Sequence, residues 1–209
     1  MLSPAKEILA NLRVVLASSS PQRKAILQQL GVKFDVIPSP FYEETVDKNA
    51  FSDARDYVKS LAHQKALAVA EQFQNTNEEI LVVGADTVII HDDKIIGKPH
   101  KHETAVETLN MLNNGCHQVC TGVSLIKVYS KKHEETLFTE TTRVTFGKLT
   151  QEQIRSYVDT GEPLNKAGAY GIQGLGALLV EKIDGDYYNV VGFPAYKFFT
   201  ELVKFTNNN

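Results

Sequence analysis

Arg13-Val-Val-Leu-Ala-Ser-Ser-Ser-Pro-Gln-Arg-Lys-Ala-Ile-Leu-Gln-Gln-Leu-Gly31 reads as a buried strand that runs straight into a helix. Val14 to Ala17 are all apolar and end at three hydroxyls, the pattern of a short strand covered on both faces. Ser20 is a favoured helix N-cap, and Pro21 suits the first helical position, where its missing N–H is not needed. Ile26, Leu27 and Leu30 supply an apolar face, and Gly31 ends the helix.

The same alternation continues outward. Lys33–Ile37 is a second strand, stopped by Pro38 and Pro40. A long helix is predicted from Ala54 to Phe73, with Val58, Leu61, Ala62, Lys65, Val69 and Phe73 on one stripe. Ile80–Val83 is an apolar strand that Gly84-Ala85-Asp86-Thr87 interrupts and Val88–Ile90 resumes. Asp92-Asp93 makes a turn, and Thr104–Leu112 is a helix. Two long strands follow, Val119–Val128 and Thr136–Phe146, joined by a charged connection at Lys131–Glu135. Thr150 and Gln153 form a capping box for a helix to Asp159. Leu178–Ile183 and Tyr187–Val191 read as a hairpin across Asp184-Gly185. Pro194–Lys204 is a closing helix before a frayed Thr206–Asn209 tail. Strands that alternate with helices, followed by long adjacent strands, give an α/β fold with a mixed sheet in two lobes.

Composition narrows the function. The chain has 209 residues, 43% of them apolar, which is enough to bury a core without covalent staples. Net charge is −3, so no global basic field exists to hold a nucleic-acid backbone, and any anion site must be local. Cys116 and Cys120 read as ordinary thiols. No signal-peptide pattern opens the chain, and its longest apolar runs fall far short of a membrane span. The expected address is cytoplasmic.

Several segments carry candidate chemistry. Ser18, Ser19, Ser20 and Arg23 surround a helix N-terminus, where free N–H groups and the helix dipole favour phosphate. A well-capped helix with a surface arginine would show the same residues. Lys65 sits on an apolar stripe. It either snorkels at the stripe's edge or turns its ammonium into a polar cleft, towards phosphate or a carboxylate. Asp86 lies between two apolar β runs, placed either to hold a metal and take a proton from water or to bond its own turn. Glu43-Glu44 is an acid pair in a loop, a pattern that is usually solvated surface. Lys166–Gly174 is glycine-rich but is neither a Walker loop nor a dinucleotide fingerprint. His100 and His102 lack the partners of a zinc motif, and no serine-hydrolase elbow appears.

Read together, the strings Leu16–Arg23, Gly84–Thr87, Gly97–Pro99, Thr121–Val123, Gly161–Pro163 and Lys166–Gly174 resemble the Maf-like nucleotide pyrophosphatases, also called septum-formation-inhibitor-like proteins. The resemblance runs from about Val14 to Leu202. It implies one Maf-like domain over residues 1–209, with a mixed twisted sheet in two lobes around a deep central cleft, related to inosine-triphosphatase folds. It also implies a homodimer that engages neither nucleic acid nor membrane. The implied reaction is hydrolysis of a nucleoside triphosphate to monophosphate and pyrophosphate with Mg²⁺ or Mn²⁺. Asp86 becomes the proton acceptor and a metal ligand, and Glu43 the second acid and metal ligand, with Glu44 in its place if the register slips by one. Ser18, Arg23, Lys65 and Lys98 become phosphate and active-site contacts. The Lys166–Gly174 string resembles the dTTP/UTP branch, in which Thr87 and Gln173 help select the base. That branch usually carries an arginine just after the proline, and here the position is Gln22. Two other classes share parts of this pattern: a nucleotide-binding regulator without turnover, and a nucleotidyltransferase, whose usual arginine-bearing N-terminal glycine loop is missing.

Overall fold

The structure, a computed structural model, describes residues 5–130 and 132–207. The first helix, α1 (Ala5–Ala10), has no counterpart in the sequence reading. Then come β1 (Arg13–Leu16), α2 (Pro21–Gln29), β2 (Asp35–Val36), α3 (Ala54–Ala70), β3 (Ile80–His91) and β4 (Lys94–Ile96). The second half holds α4 (His102–Leu112), β5 (Cys116–Tyr129), β6 (Lys132–Phe146), α5 (Gln151–Asp159), β7 (Val180–Asp184), α6 (Tyr187–Val191) and α7 (Ala195–Asn207). Among the described residues the sheet has seven strands in the order β2-β1-β3-β5-β6-β7, with β4 paired to β3 off that path. β1 pairs parallel with β2 and β3, whereas β3–β4 and β6–β7 are antiparallel. The expected mixed α/β sheet is therefore present.

The chain divides into two compact units. The first comprises residues 1–86, 121–140 and 192–209, and the second 87–120 and 141–191. Each has its own core. In the first, Val15, Ala17, Ile80 and Val82 of the sheet pack with Ala66, Val69 and Ala70 of α3. In the second, Leu109 and Leu112 of α4 and Ile154 and Val158 of α5 pack with Val119, Val144 and Phe146. Among the described residues no helix is long and apolar enough to cross a membrane.

Local signals placed the helix ends well. Ser20 Oγ accepts from Arg23 N, with Pro21 at the first helical position. Thr150 and Gln153 form the reciprocal capping box. Four expectations need correction. β3 is one unbroken strand of 12 residues, so Gly84–Thr87 is not a turn and Asp86 is a mid-strand residue. The segment expected to be a charged connection is mostly the start of β6; Lys131 lies outside the described residues. Tyr187–Val191 is a helical turn, α6, and not the second arm of a hairpin. Here tertiary bonds override the β-rich composition. Asp186 Oδ1 accepts from Tyr188 N at 2.8 Å, as at the start of a helix. Fully buried Asn189 donates to Val119 O at 2.9 Å and to Thr142 Oγ1 at 3.0 Å, which a strand there would forfeit. β7 pairs with β6 instead, with Val144 opposite Ile183. In the tail, Thr206 and Asn207 continue α7, whereas Asn208 and Asn209 lie outside the described residues.

A buried imidazole lies in the second core. His117 on β5 is 2% exposed and stands edge-on to Phe146 and Tyr170. Its Nε2 is 2.8 Å from Tyr170 Oη, while Nδ1 is buried with no partner among the described residues. Burial, with a smaller push from His91, brings its pKa from 6.5 down to about 4. Between those values the unfolded chain binds the proton and the folded one does not, so stability falls as pH drops from 6.5 towards 4. The full contribution is about 3 kcal/mol. His117→Gln, which can still bond the tyrosine but cannot titrate, should flatten this part of the stability–pH curve. Urea unfolding from pH 7 to pH 4 measures the difference from the parent protein.

Candidate active site

The site in the first unit begins where β1 ends. β1 and β3 are in parallel register with Leu16 opposite Val83, and Ala17 N still bonds Val83 O at 2.8 Å. Beyond that point β1 leaves the sheet through Ser18–Ser20 to start α2, while β3 runs on to Asp86. Asp86 is thus three residues past the last β1–β3 pair, on the stretch of β3 that has lost this neighbour.

Two glycines bring α3 against this region. A Cβ on Gly84 would collide with Ala62 O and lie 2.8 Å from Ala66 Cβ. A Cβ on Gly122 of β5 would lie 2.5 Å from Val58 O. Val58, Ala62 and Ala66 recur every four residues, so one ridge of α3 lies directly on the backbones of β3 and β5. Gly84 and Asp86 share a face of β3 because side chains alternate along a strand. Lys65, beside Ala66, therefore meets Asp86. Its Nζ lies 2.5 Å from Asp86 Oδ1 and 2.6 Å from Glu43 Oε1. Of the two possibilities for this lysine, the polar one holds: Lys65 is 8% exposed and its ammonium bridges two carboxylates.

Glu43 opens a short 3₁₀ turn, Glu43–Thr45, on the connection between β2 and α3. Its side chain is 39% exposed, against 10% for those of Asp86 and Lys65. Between the two loop acids, it is Glu43 that reaches Lys65, and Glu44 is exposed. Arg23 stands on the first turn of α2. Its Nη1 donates to Ser18 Oγ at 3.2 Å and its Nε to Gly192 O at 3.0 Å. Burial lowers the guanidinium's pKa, while the charges of Asp86 and then Glu43 pull it back up. An arginine keeps its proton through such a shift. Ser18, Arg23, Glu43, Lys65 and Asp86 therefore form one cluster of two acids, two cations and a hydroxyl. Gln22 is on the same turn as Arg23, and its Oε1 accepts from Ser20 Oγ at 3.2 Å.

One neighbour escapes the sequence reading. Tyr57 lies on α3 eight residues before Lys65, on the same helical stripe, edge-on to Phe51. Burial raises its phenol's pKa, and Asp86, Glu43 and Glu44 raise it further. The i, i+4, i+8 spacing of Tyr57, Leu61 and Lys65 was the available signal.

The other expected residues belong to the second unit. Thr87 follows Asp86 on β3 and is half-buried, and Lys98 and Gln173 are exposed. The Lys98 segment is fastened to the glycine-rich one, because Gly168 N bonds Gly97 O at 3.1 Å and His100 N bonds Leu164 O at 3.0 Å.

Among the described residues no three His, Cys, Asp or Glu side chains group as a metal site. Two carboxylates converging on a single ammonium do fit a hard divalent ion whose remaining ligands are water and phosphate oxygens.

A model of the Maf-like protein family matches residues 13–205. The chain belongs to the Maf-like family. Named relatives of this Maf-like chain include the dTTP/UTP pyrophosphatase of Bacillus thuringiensis subsp. konkukian (strain 97-27), 46% identical over 193 residues, covering 92% of this chain and 95% of that protein. The dTTP/UTP pyrophosphatase of Bacillus cytotoxicus is 47% identical over the same spans. A solved nucleoside-triphosphatase / dITP/XTP pyrophosphatase from Mycobacterium abscessus overlaps 66% of this chain and 76% of its own, at 11% identity and a TM-score of 0.34, too slight a likeness to carry an argument.

The lysine bridge revises what its removal does. On sequence alone, Lys65→Met should cost activity and little stability, since methionine suits an apolar stripe. With Asp86 and Glu43 left facing each other, the variant should lose roughly 3 kcal/mol of stability at pH 7, the low end for a buried pair stripped of its partner because Glu43 is partly exposed. Chemical denaturation of both proteins at pH 7 tests this.

Proposed function

We propose that this Maf-like protein hydrolyses dTTP and UTP to the nucleoside monophosphate and pyrophosphate. The observation that carries the reading is the Asp86–Lys65–Glu43 bridge beside Arg23, buried at Asp86 and Lys65 and partly open at Glu43. The named activity of relatives 46–47% identical over nearly the whole chain supports it.

The chemistry needs a water, a proton acceptor and cations. Asp86 would orient the water and take its proton as the water oxygen bonds to the α-phosphorus. The bond from that phosphorus to the bridging oxygen breaks, and pyrophosphate leaves with the electron pair. Arg23 and Lys65 would face the phosphates, with Ser18 Oγ as a further donor. Asp86 and Glu43 would hold the divalent ion, which when bound offsets phosphate charge. Thr87, Lys98 and Gln173 are proposed as substrate contacts on the family resemblance, Thr87 and Gln173 towards the base.

With UTP or dTTP and Mg²⁺ or Mn²⁺, chromatography should show monophosphate and pyrophosphate. Asp86→Asn, which keeps shape but not charge, should lower turnover at least roughly 10²-fold while the far-UV spectrum is unchanged. Nucleoside diphosphate and orthophosphate as products would defeat the α-phosphorus assignment.

Gln22 generates a separate expectation. Glutamine has no charge, but its oxygen can accept from an exocyclic amine as well as from Ser20. Arginine there would offer a fixed cation and up to five donors. Gln22→Arg should therefore raise kcat/KM for UTP and dTTP relative to CTP, by roughly 10- to 100-fold for one charge-assisted bond. Ratios that do not move would place Gln22 away from the base.

A further inference from the structure

In the second unit, the chain from Gly161 to Gly176 folds around one carboxylate. Glu162 Oε2 accepts from Leu175 N at 3.0 Å. Its Oε1 accepts from Gly176 N at 3.3 Å and from Tyr157 Oη at 3.0 Å. Lys166 Nζ donates to the Glu162 carbonyl at 3.2 Å and lies 3.6 Å from Oε1. Tyr157 Oη also accepts from Gly171 N at 3.2 Å. One residue earlier, Tyr170 Oη is held by His117. The segment is thus fastened at 170, 171, 175 and 176, and Gln173, which is exposed, lies in the middle of the span.

The wrapping is tight enough to dictate residue type. A Cβ on Gly174 would stand 2.5 Å from both Glu162 carboxylate oxygens, and one on Gly176 2.7 Å from Tyr157 Oη. Burial works against the Glu162 charge, but the bonds from Leu175, Tyr157 and Gly176, with the charge of Lys166, outweigh it and hold the carboxyl below its usual pKa.

We propose that Glu162 is a positioning residue for base selection: by gripping the backbone after Gln173 directly, and before it through Tyr157, it fixes where the Gln173 side chain is presented. The proposal rests on the reading of Gln173 as a base contact. A carboxylate suits the task because both of its oxygens accept. Glutamine would turn an amide N–H towards either Leu175 N–H or the Gly176 and Tyr157 donors and so release one side. Aspartate is shorter by one methylene and would not reach both.

The test compares kcat/KM for UTP, dTTP and CTP in the parent protein, Glu162→Gln, Tyr157→Phe, Gln173→Ala and the Glu162→Gln/Gln173→Ala double variant. Amide hydrogen exchange at Gly171, Leu175 and Gly176 is followed alongside. Loss of one such hydrogen bond should change the preference among the three nucleotides roughly 3- to 10-fold. The change should fall mainly on KM and run in the same direction as that of Gln173→Ala, and the loosened amides should exchange faster. In the double variant the preference should match that of Gln173→Ala alone, because Glu162 then has nothing to present. A merely structural glutamate would not show this dependence. If Gln173→Ala shifts the preference and Glu162→Gln does not, the positioning role is overturned while the base-contact reading stands. If Gln173→Ala shifts nothing, that reading fails and the proposal with it. Should Glu162→Gln not fold, Tyr157→Phe carries the same comparison.

Discussion

The contact on which the first unit's chemistry depends is apolar and lies outside the charged cluster. α3 rests on β3 and β5 through Gly84 and Gly122, close enough that a single added methyl group at either position would strike the helix backbone. Because 3.6 residues make a turn, seating Val58, Ala62 and Ala66 on the sheet leaves Lys65 one step around the helix, at the height of Asp86. Interiors this dense do not deform continuously. The lysine's placement follows from the glycines, and the short bridge to Asp86 and Glu43 follows from the lysine.

That bridge solves an energetic problem. A carboxylate as buried as Asp86 is costly unless a charge accompanies it. Lys65 and Arg23 set two positive charges against Asp86 and Glu43, so the cluster as a whole is formally neutral. The charged groups are held in place beforehand, Lys65 by the two carboxylates and Arg23 by Ser18 and Gly192, an arrangement that would suit the polyanion proposed as substrate. Such preorganisation is what makes fixed charges effective at a developing negative charge.

Local rules were legible in the sequence, and long-range ones were less so. The Ser20–Pro21 helix start, the Thr150–Gln153 capping box and the α3 stripe follow from signals local in the chain; the first two are present, and the stripe holds from Val58 to Val69, with Phe73 in a 3₁₀ turn past the end of α3. Lys65 stood out as a charge on an apolar face, and its burial against two acids explains the oddity. The interruption read into Gly84–Thr87 failed for an instructive reason: Gly84 is there for the close approach of α3 and not for a bend in the chain. Tyr187–Val191 has the composition of a strand, yet Asn189 bonds partners 70 and 47 residues away and holds it helical. Glu162 gave no signal beyond its place in a short motif, since its partners only come together once the segment to Gly176 has folded round it.

The glycine contacts also bear on how such a chain diversifies. Ala62 and Ala66 on the helix and Gly84 on the strand form one steric unit although some twenty residues separate them. A larger residue at Gly84 would strike the Ala62 carbonyl and the Ala66 backbone as well as the Ala66 methyl, so no smaller side chain elsewhere would make room for it. Over evolutionary time Gly84 would stand still without touching a substrate. Invariance at Gly84 would then record a distance between two backbones, and a search for catalytic residues by conservation alone would mistake that spacer for part of the chemistry.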